Sequence, residues 1–262
     1  MSYQNIVFET ADGVARLTFN RPERLNSFNT GMHAEVRAAL ASLRDSAARV
    51  LVITGAGRGF CAGQDLSDRA VAPGGAPPDL AASIEKNYKP LVLALRSLPL
   101  PVIAAVNGVA AGAGANIALA CDLVIAAHSA SFVQAFSKLG LVPDSGGTWT
   151  LPRLIGTARA LGLTLLGDQL SAEQAASWGL IWRCVADAEL APVVEGLARQ
   201  LAAAPTRGLA RTKQAIYEGL SRTLPQQLDI ERDYQGELGH SMDYAEGVAA
   251  FAAKRAPRFT GR

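Results

Sequence analysis

Pro101-Val102-Ile103-Ala104-Ala105-Val106-Asn107-Gly108-Val109-Ala110-Ala111-Gly112-Ala113-Gly114-Ala115-Asn116 is the stretch on which the fold turns. Its first part is a continuous apolar run closed by Asn-Gly, as expected of a strand buried on both faces. Its second part is rich in Gly and Ala and leads into a small-residue helix over residues 113–120. Leu123-Val124-Ile125-Ala126 then reads as another buried strand. Upstream, Val50-Leu51-Val52-Ile53 is a strand of the same kind, ending at Thr54-Gly55. A helix over about residues 80–98 separates it from the strand at 101–106. Such alternation implies βαβ crossovers and mostly parallel pairing, the mark of an α/β fold.

The flanking regions extend this pattern. Residues 14–19 alternate in polarity after the Asp12-Gly13 turn, and Ile6-Val7-Phe8 is the expected hairpin partner. A helix is expected from about residue 32 to 43, with Val36, Leu40 and Leu43 on one face. Residues 71–78 form a Pro/Gly/Ala loop in this reading. After Pro152 the texture becomes Ala- and Leu-rich, with breaks at Gly167, Gly179, Pro205 and Pro225, which predicts a helical subdomain.

Composition narrows the function. The chain has 262 residues, 49% of them hydrophobic, enough for one large core or for one core plus a small helical appendage. A formal net charge of +2 gives no broad electrostatic footprint for nucleic acid. No apolar run approaches the roughly 20 residues that span a bilayer. The start, Met1-Ser2-Tyr3-Gln4-Asn5, lacks a basic patch followed by an apolar stretch, so no secretory leader is expected. Cys61, Cys121 and Cys184 are odd in number and widely spaced, which suits free thiols in a reducing, cytoplasmic setting. His33, His128 and His240 are equally scattered, and no metal site is expected.

Three glycine-rich segments could carry chemistry. Gly55-Ala56-Gly57-Arg58-Gly59-Phe60-Cys61-Ala62-Gly63-Gln64-Asp65-Leu66 and residues 107–116 each follow a buried strand. Small residues there let another group approach the backbone, and a segment entering a helix presents N–H groups that favour negative charge. Two converging N–H donors make an oxyanion hole. Gly112, Ala113 and Gly114 fit tight helix–strand packing equally well. Neither segment is followed by Gly-Lys-Ser/Thr, so neither reads as a P-loop, and a dinucleotide site is weakly supported. In the third segment, Leu139-Gly140-Leu141-Val142-Pro143-Asp144-Ser145-Gly146-Gly147-Thr148, Asp144 is either a helix N-cap or a general base.

Taken together and in order, these segments resemble the crotonase, or enoyl-CoA hydratase/isomerase, superfamily over essentially the whole chain. Asn20-Arg21-Pro22 with Leu25-Asn26 resembles its early CoA-facing loop. Residues 60–66 and 101–122 resemble its two oxyanion segments, and residues 141–148 its catalytic turn. Phe251-Ala252-Ala253-Lys254-Arg255-Ala256-Pro257-Arg258-Phe259 resembles its C-terminal signature.

The resemblance implies a spiral of ββα units with the CoA and catalytic site over residues 1–200, and a C-terminal helical trimerisation region over 201–262. It implies a homotrimer or a dimer of trimers. It places the thioester oxygen against the backbone N–H groups of Gln64 and Ala113, with Asp144 as the catalytic acid–base. Arg24, Leu25, Ala62, Asp65, Leu66, Gly112, Phe136, Phe251 and Lys254 match substrate- or CoA-binding positions, the last two often supplied by a neighbouring subunit. No separate cofactor is implied, since coenzyme A is part of the acyl-CoA substrate. Neither nucleic acid nor membrane is an expected partner.

The departures from the family pattern matter most. The hydratases use two glutamates, and this sequence has Asn116 and Phe136 in those places. Neither side chain can shuttle a proton at neutral pH. A single carboxylate, Asp144, suits an isomerase that takes a proton from one carbon and returns it to another. The alternatives are a hydratase or thioesterase activating water with Asp144 alone, and a non-enzymatic binding module.

Overall fold

The computed structural model describes residues 3–69 and 78–262. The expected hairpin is present and longer than its apolar core: Ile6–Ala11 (β1) pairs antiparallel with Val14–Phe19 (β2), Ile6 opposite Phe19. Thr30–Ser42 (α1) is capped by Asn29, whose side chain accepts from the Met32 N–H. The loop expected at 71–78 lies almost wholly outside the described residues.

A repeated strand–turn–strand unit then builds the molecule. Val50–Gly55 (β3) turns into Gly59–Cys61 (β4). Leu80–Ser83 (α2) continues through a π-helical turn, Ile84–Tyr88, into Lys89–Ser97 (α3). Val102–Val106 (β5) turns into Val109–Ala111 (β6), followed by Ala113–Leu119 (α4). Leu123–Ala127 (β7) turns into Ser131–Val133 (β8), and Gly147–Leu166 (α5) follows. The first strand of each pair joins one sheet and the second joins another, which produces a spiral of ββα units.

Two short strands lie in the region whose texture predicts only helix. Gln169–Ser171 (β9) precedes Ala172–Ser177 (α6), and Arg183–Val185 (β10) follows it. Each is three residues long and is defined by its partner, β8 or β7, more than by local propensity. The large sheet has the order β1-β2-β3-β5-β7-β10, parallel from β2 onward, and the small one β4-β6-β8-β9. The all-apolar runs of β3 and β5 are buried on both faces, as parallel central strands require.

Leu190–Ala202 (α7) covers the large sheet, with Leu190, Val194, Ala198 and Ala202 on its buried face at four-residue spacing. The expected division after residue 200 falls in the last turn of this helix. Thr206–Gly219 (α8), Leu224–Leu238 (α9) and Met242–Ala252 (α10) complete the helical end. It is tied back to the core at two places. Lys213 pairs with Asp122 at 2.9 Å, and Tyr217 donates to the same carboxylate at 2.7 Å. Arg49 reaches the Thr206 hydroxyl at 2.8 Å and the Phe259 carbonyl at 3.0 Å. No described helix is long and apolar enough to cross a membrane.

Candidate active site

The chain leaves β4 through Gly63, whose φ of 89° lies in the left-handed region. Phe28 N–H donates to Gly63 O at 2.7 Å, and Asp65 N–H donates to Phe28 O at 2.9 Å. This is a parallel bridge between Phe28 and Gln64, and its geometry turns the Gln64 main-chain N–H to the opposite side. The Gln64 side chain is held as well. Its Nε2 donates to the Phe28 carbonyl at 3.0 Å, and its Oε1 accepts from the Tyr88 hydroxyl at 2.9 Å.

Ala113 begins α4, so its N–H has no acceptor within the helix. The residue before it, Gly112, has φ 53° and ψ −126°, a conformation that favours glycine. The two segments touch. A Cβ on Gly63 would stand 3.3 Å from Ala113 N, and one on Gly114 would fall 2.2 Å from Cys61 O. Close packing and N–H presentation therefore both hold, at different residues: Gly114 admits the neighbouring backbone while Gly112 sets up the helix start.

Asp144 lies in a turn whose next two residues, Ser145 and Gly146, have φ of 52° and 83°. The α5 N-cap is Gly146, with no side-chain cap, so the N-cap reading of Asp144 is overturned. Its carboxylate instead accepts from Ser145 Oγ at 2.8 Å. Its main-chain carbonyl accepts from Asn116 Nδ2 at 2.8 Å. Asn116 stands one helical turn after Ala113, so the turn bearing the carboxylate is bonded to the helix that begins at the second N–H donor.

The remaining expected residues fall into two groups. Phe136 is buried beside Gly112, where an added Cβ would meet its ring at 3.7 Å. Leu25, with φ 48°, accepts from the Ala62 N–H at 2.9 Å, which joins the early loop to the segment after β4. Arg24 and Leu66 are exposed along this edge. The carboxylate of Asp65 is engaged by Arg21 Nη2 at 2.9 Å and by Ser67 Oγ at 2.6 Å. The Ser67 bond and the Arg21 charge hold that carboxyl below its ordinary range against the opposing effect of burial.

Phe251 and Lys254 are not gathered with the others. Phe251 is 86% exposed on α10, and Lys254 is exposed just beyond it. The hydrogen bonds of α10 run to the chain's own C-terminal segment, through Asp243 to Thr260 and Glu246 to Arg255. A cleft of about 770 Å³ is bordered by Arg96, Trp149, Lys213 and Tyr217 and does not contain Gln64, Ala113 or Asp144. Trp149 packs there between Arg96 and Arg153. Tyr88 and Gln134 emerge only from the structure. One sits within a helix and one after a strand, and neither position carries a local pattern.

The chain belongs to the enoyl-CoA hydratase/isomerase family, whose sequence profile matches residues 9–262. It is 61% identical over 258 residues to the 1,2-epoxyphenylacetyl-CoA isomerase of Escherichia coli K12, covering 98% of each chain. It is 51% identical over 262 residues to a probable enoyl-CoA hydratase of Rhodobacter capsulatus, covering 100% of each. The crystal structure of an enoyl-CoA hydratase from Bacillus anthracis superposes with a TM-score of 0.93 at 34% identity, covering 99% of this chain and 100% of that one. The crotonase-like α/β fold expected from the sequence is thus the fold of the chain.

Proposed function

We propose that the chain isomerises ring-1,2-epoxyphenylacetyl-CoA to the oxepin thioester, a step of aerobic phenylacetate breakdown. Asp144 carries the proton, and the Gln64 and Ala113 amides hold the thioester oxygen. The observation that carries this reading is the Asn116–Asp144 hydrogen bond. It ties the main chain of the turn that bears the carboxylate to the helix that starts at Ala113.

Removing the α-proton puts negative charge on the thioester oxygen. Two preset N–H donors bind that oxygen more strongly as the charge grows, which lowers the barrier. Losing one such donor costs about 3–4 kcal/mol in comparable sites. The electron pair spreads into the ring and the bond between the two epoxide carbons breaks. Both C–O bonds remain, giving the seven-membered oxepin, and Asp144 returns the proton to a ring carbon. No atom enters or leaves. The same carboxylate can move the double bond of a 3-enoyl-CoA, because that reaction passes through the same kind of enolate.

In this reading Phe136 borders the acyl group. Arg24, Leu25, Ala62, Asp65, Leu66 and Gly112 shape the CoA channel, with Asp65 acting through Arg21. Phe251 and Lys254 complete the CoA site of a neighbouring copy in a homotrimer or a dimer of trimers. The exposed apolar residues Leu224, Leu228, Met242, Val248 and Phe251 of α9 and α10 support that assembly.

Asp144→Asn tests the reading, since it keeps the shape of the side chain and removes the base. Turnover of the epoxide thioester should fall by a factor on the order of 10³ or more, with acyl-CoA binding retained. Undiminished turnover would refute the assignment. Heavy-oxygen water separates the alternative, because isomerisation takes up no solvent oxygen whereas hydration by Asp144-activated water must.

A further inference from the structure

Asn116 and Gln134 form a buried pair of side-chain amides behind Asp144, 2% and 3% exposed. The Asp144 carbonyl can only accept, so the Asn116 atom that meets it at 2.8 Å is the amide nitrogen. That choice turns the Asn116 carbonyl toward Gln134. Gln134 answers with its own nitrogen at 2.9 Å. Its Oε1 is then left buried with no donor among the described residues. The chain of bonds runs one way, from Gln134 to Asn116 to the Asp144 main chain. Gly147 completes the fit, because a Cβ there would fall 2.5 Å from Asn116 Nδ2.

A buried acceptor without a donor costs stability. The count of satisfied groups therefore does not favour an amide at position 134, since an apolar side chain of similar length would leave Asn116 Oδ1 unpaired in place of Gln134 Oε1. In sequence, position 116 looks only like a missing acid. In the structure Asn116 does what an ionised acid cannot. A carboxylate has no N–H for the Asp144 carbonyl, and it would set a second negative charge beside the proton carrier.

We propose that Gln134 is a positioning residue for proton transfer: it orients Asn116, which holds the Asp144 turn and aims the carboxylate. The proposal rests on the reading of Asp144 as the proton carrier. Gln134→Met removes the donor and keeps the length. It also exchanges one unpaired acceptor, Gln134 Oε1, for another, Asn116 Oδ1.

The experiment measures Gln134→Met, Asn116→Ala and the double variant on a 3-enoyl-CoA, with thermal melts alongside. Gln134→Met should lower kcat about tenfold with KM within about twofold, the sign of an interaction felt mainly in the transition state. Its Tm should move by less than about 4 °C. In the Asn116→Ala background the same change should cost less than about twofold, because its route to Asp144 is gone. Gln134→Glu supplies a second readout should Met repack poorly: its rate relative to wild type should rise as pH falls, since only the protonated acid donates.

An unchanged kcat in Gln134→Met overturns the proposal, and so does an equal loss in both backgrounds. A pH-independent rate ratio for Gln134→Glu also overturns it. Asp144→Asn in the same assay separates the two levels. If that variant is inactive while Gln134→Met is unimpaired, only the positioning role falls. If Asp144→Asn is fully active, both fall.

Discussion

Tyr88 donates its hydroxyl hydrogen to Gln64 Oε1 at 2.9 Å, and through Gln64 it steadies the backbone after Gly63. The tyrosine is fully buried and stands edge-on to His33, with ring centroids 4.5 Å apart. It ends the π-helical turn Ile84–Tyr88, a wide turn of a kind found frequently at functional sites. Tyr88→Phe keeps the ring and removes this one bond. Stability should fall by about 0.5–1.5 kcal/mol, the usual net worth of such a bond. If about 1 kcal/mol of ordering is also lost from the transition state, kcat falls roughly fivefold. Denaturant unfolding and steady-state kinetics on the same variant check both numbers. An unchanged kcat would mean that the bonds to Phe28 and Leu25 hold the segment without the tyrosine hydroxyl.

The three cysteines give a test of packing that needs no substrate. Burial pushes the Cys61 thiol up to about 12, and Cys121 is raised further by burial and the neighbouring Asp122. Cys184 is raised as well, chiefly by burial, but it is only partly covered. The thiolate is the reactive form, so Cys61 and Cys121 should resist alkylation in the native protein. Native labelling with iodoacetamide at about pH 8 should be slow and confined to Cys184, whereas unfolded chains should label at all three. Peptide mapping reads the outcome directly. Fast native labelling at Cys61 would contradict the close contact between Cys61 and Gly114.

Much of this molecule can be read from the order of its residues, and the unread parts share a physical cause. β3, β5 and β7 announce themselves because burial on both faces demands uninterrupted apolar runs. The glycine-rich segments after β4 and β6 are visible because close backbone approach demands glycine, as at Gly63 and Gly114. β9 and β10 are not visible: three-residue strands are made by their neighbours. Asp144 illustrates the same limit at the site. Its sequence context fits a cap as well as a base, and only the backbone of Ser145 and Gly146 decides that the cap is Gly146. Gln134 and Tyr88 act across 18 and 24 residues of chain, on Asn116 and Gln64, which no local pattern encodes.

Acid should weaken the contact where the early loop meets residues 62–66. Arg21 and Asp65 form an ion pair at 2.9 Å with both side chains largely buried. Ser67 and Arg21 favour the charged carboxylate, so its folded pKa lies below the ordinary 3.8. A lowered folded pKa means that the group stabilises the native state fully above its unfolded pKa. The contribution is lost as pH falls from about 4 toward the folded value. Asp65→Asn removes that dependence and also leaves the Arg21 guanidinium without its charge partner. The variant should therefore be less stable than wild type at pH 7, and the gap should narrow below about pH 4. Melting curves of both proteins between about pH 3 and 7 measure the gap. A gap that stays constant across that range would show that the pair contributes shape and no charge-dependent stability.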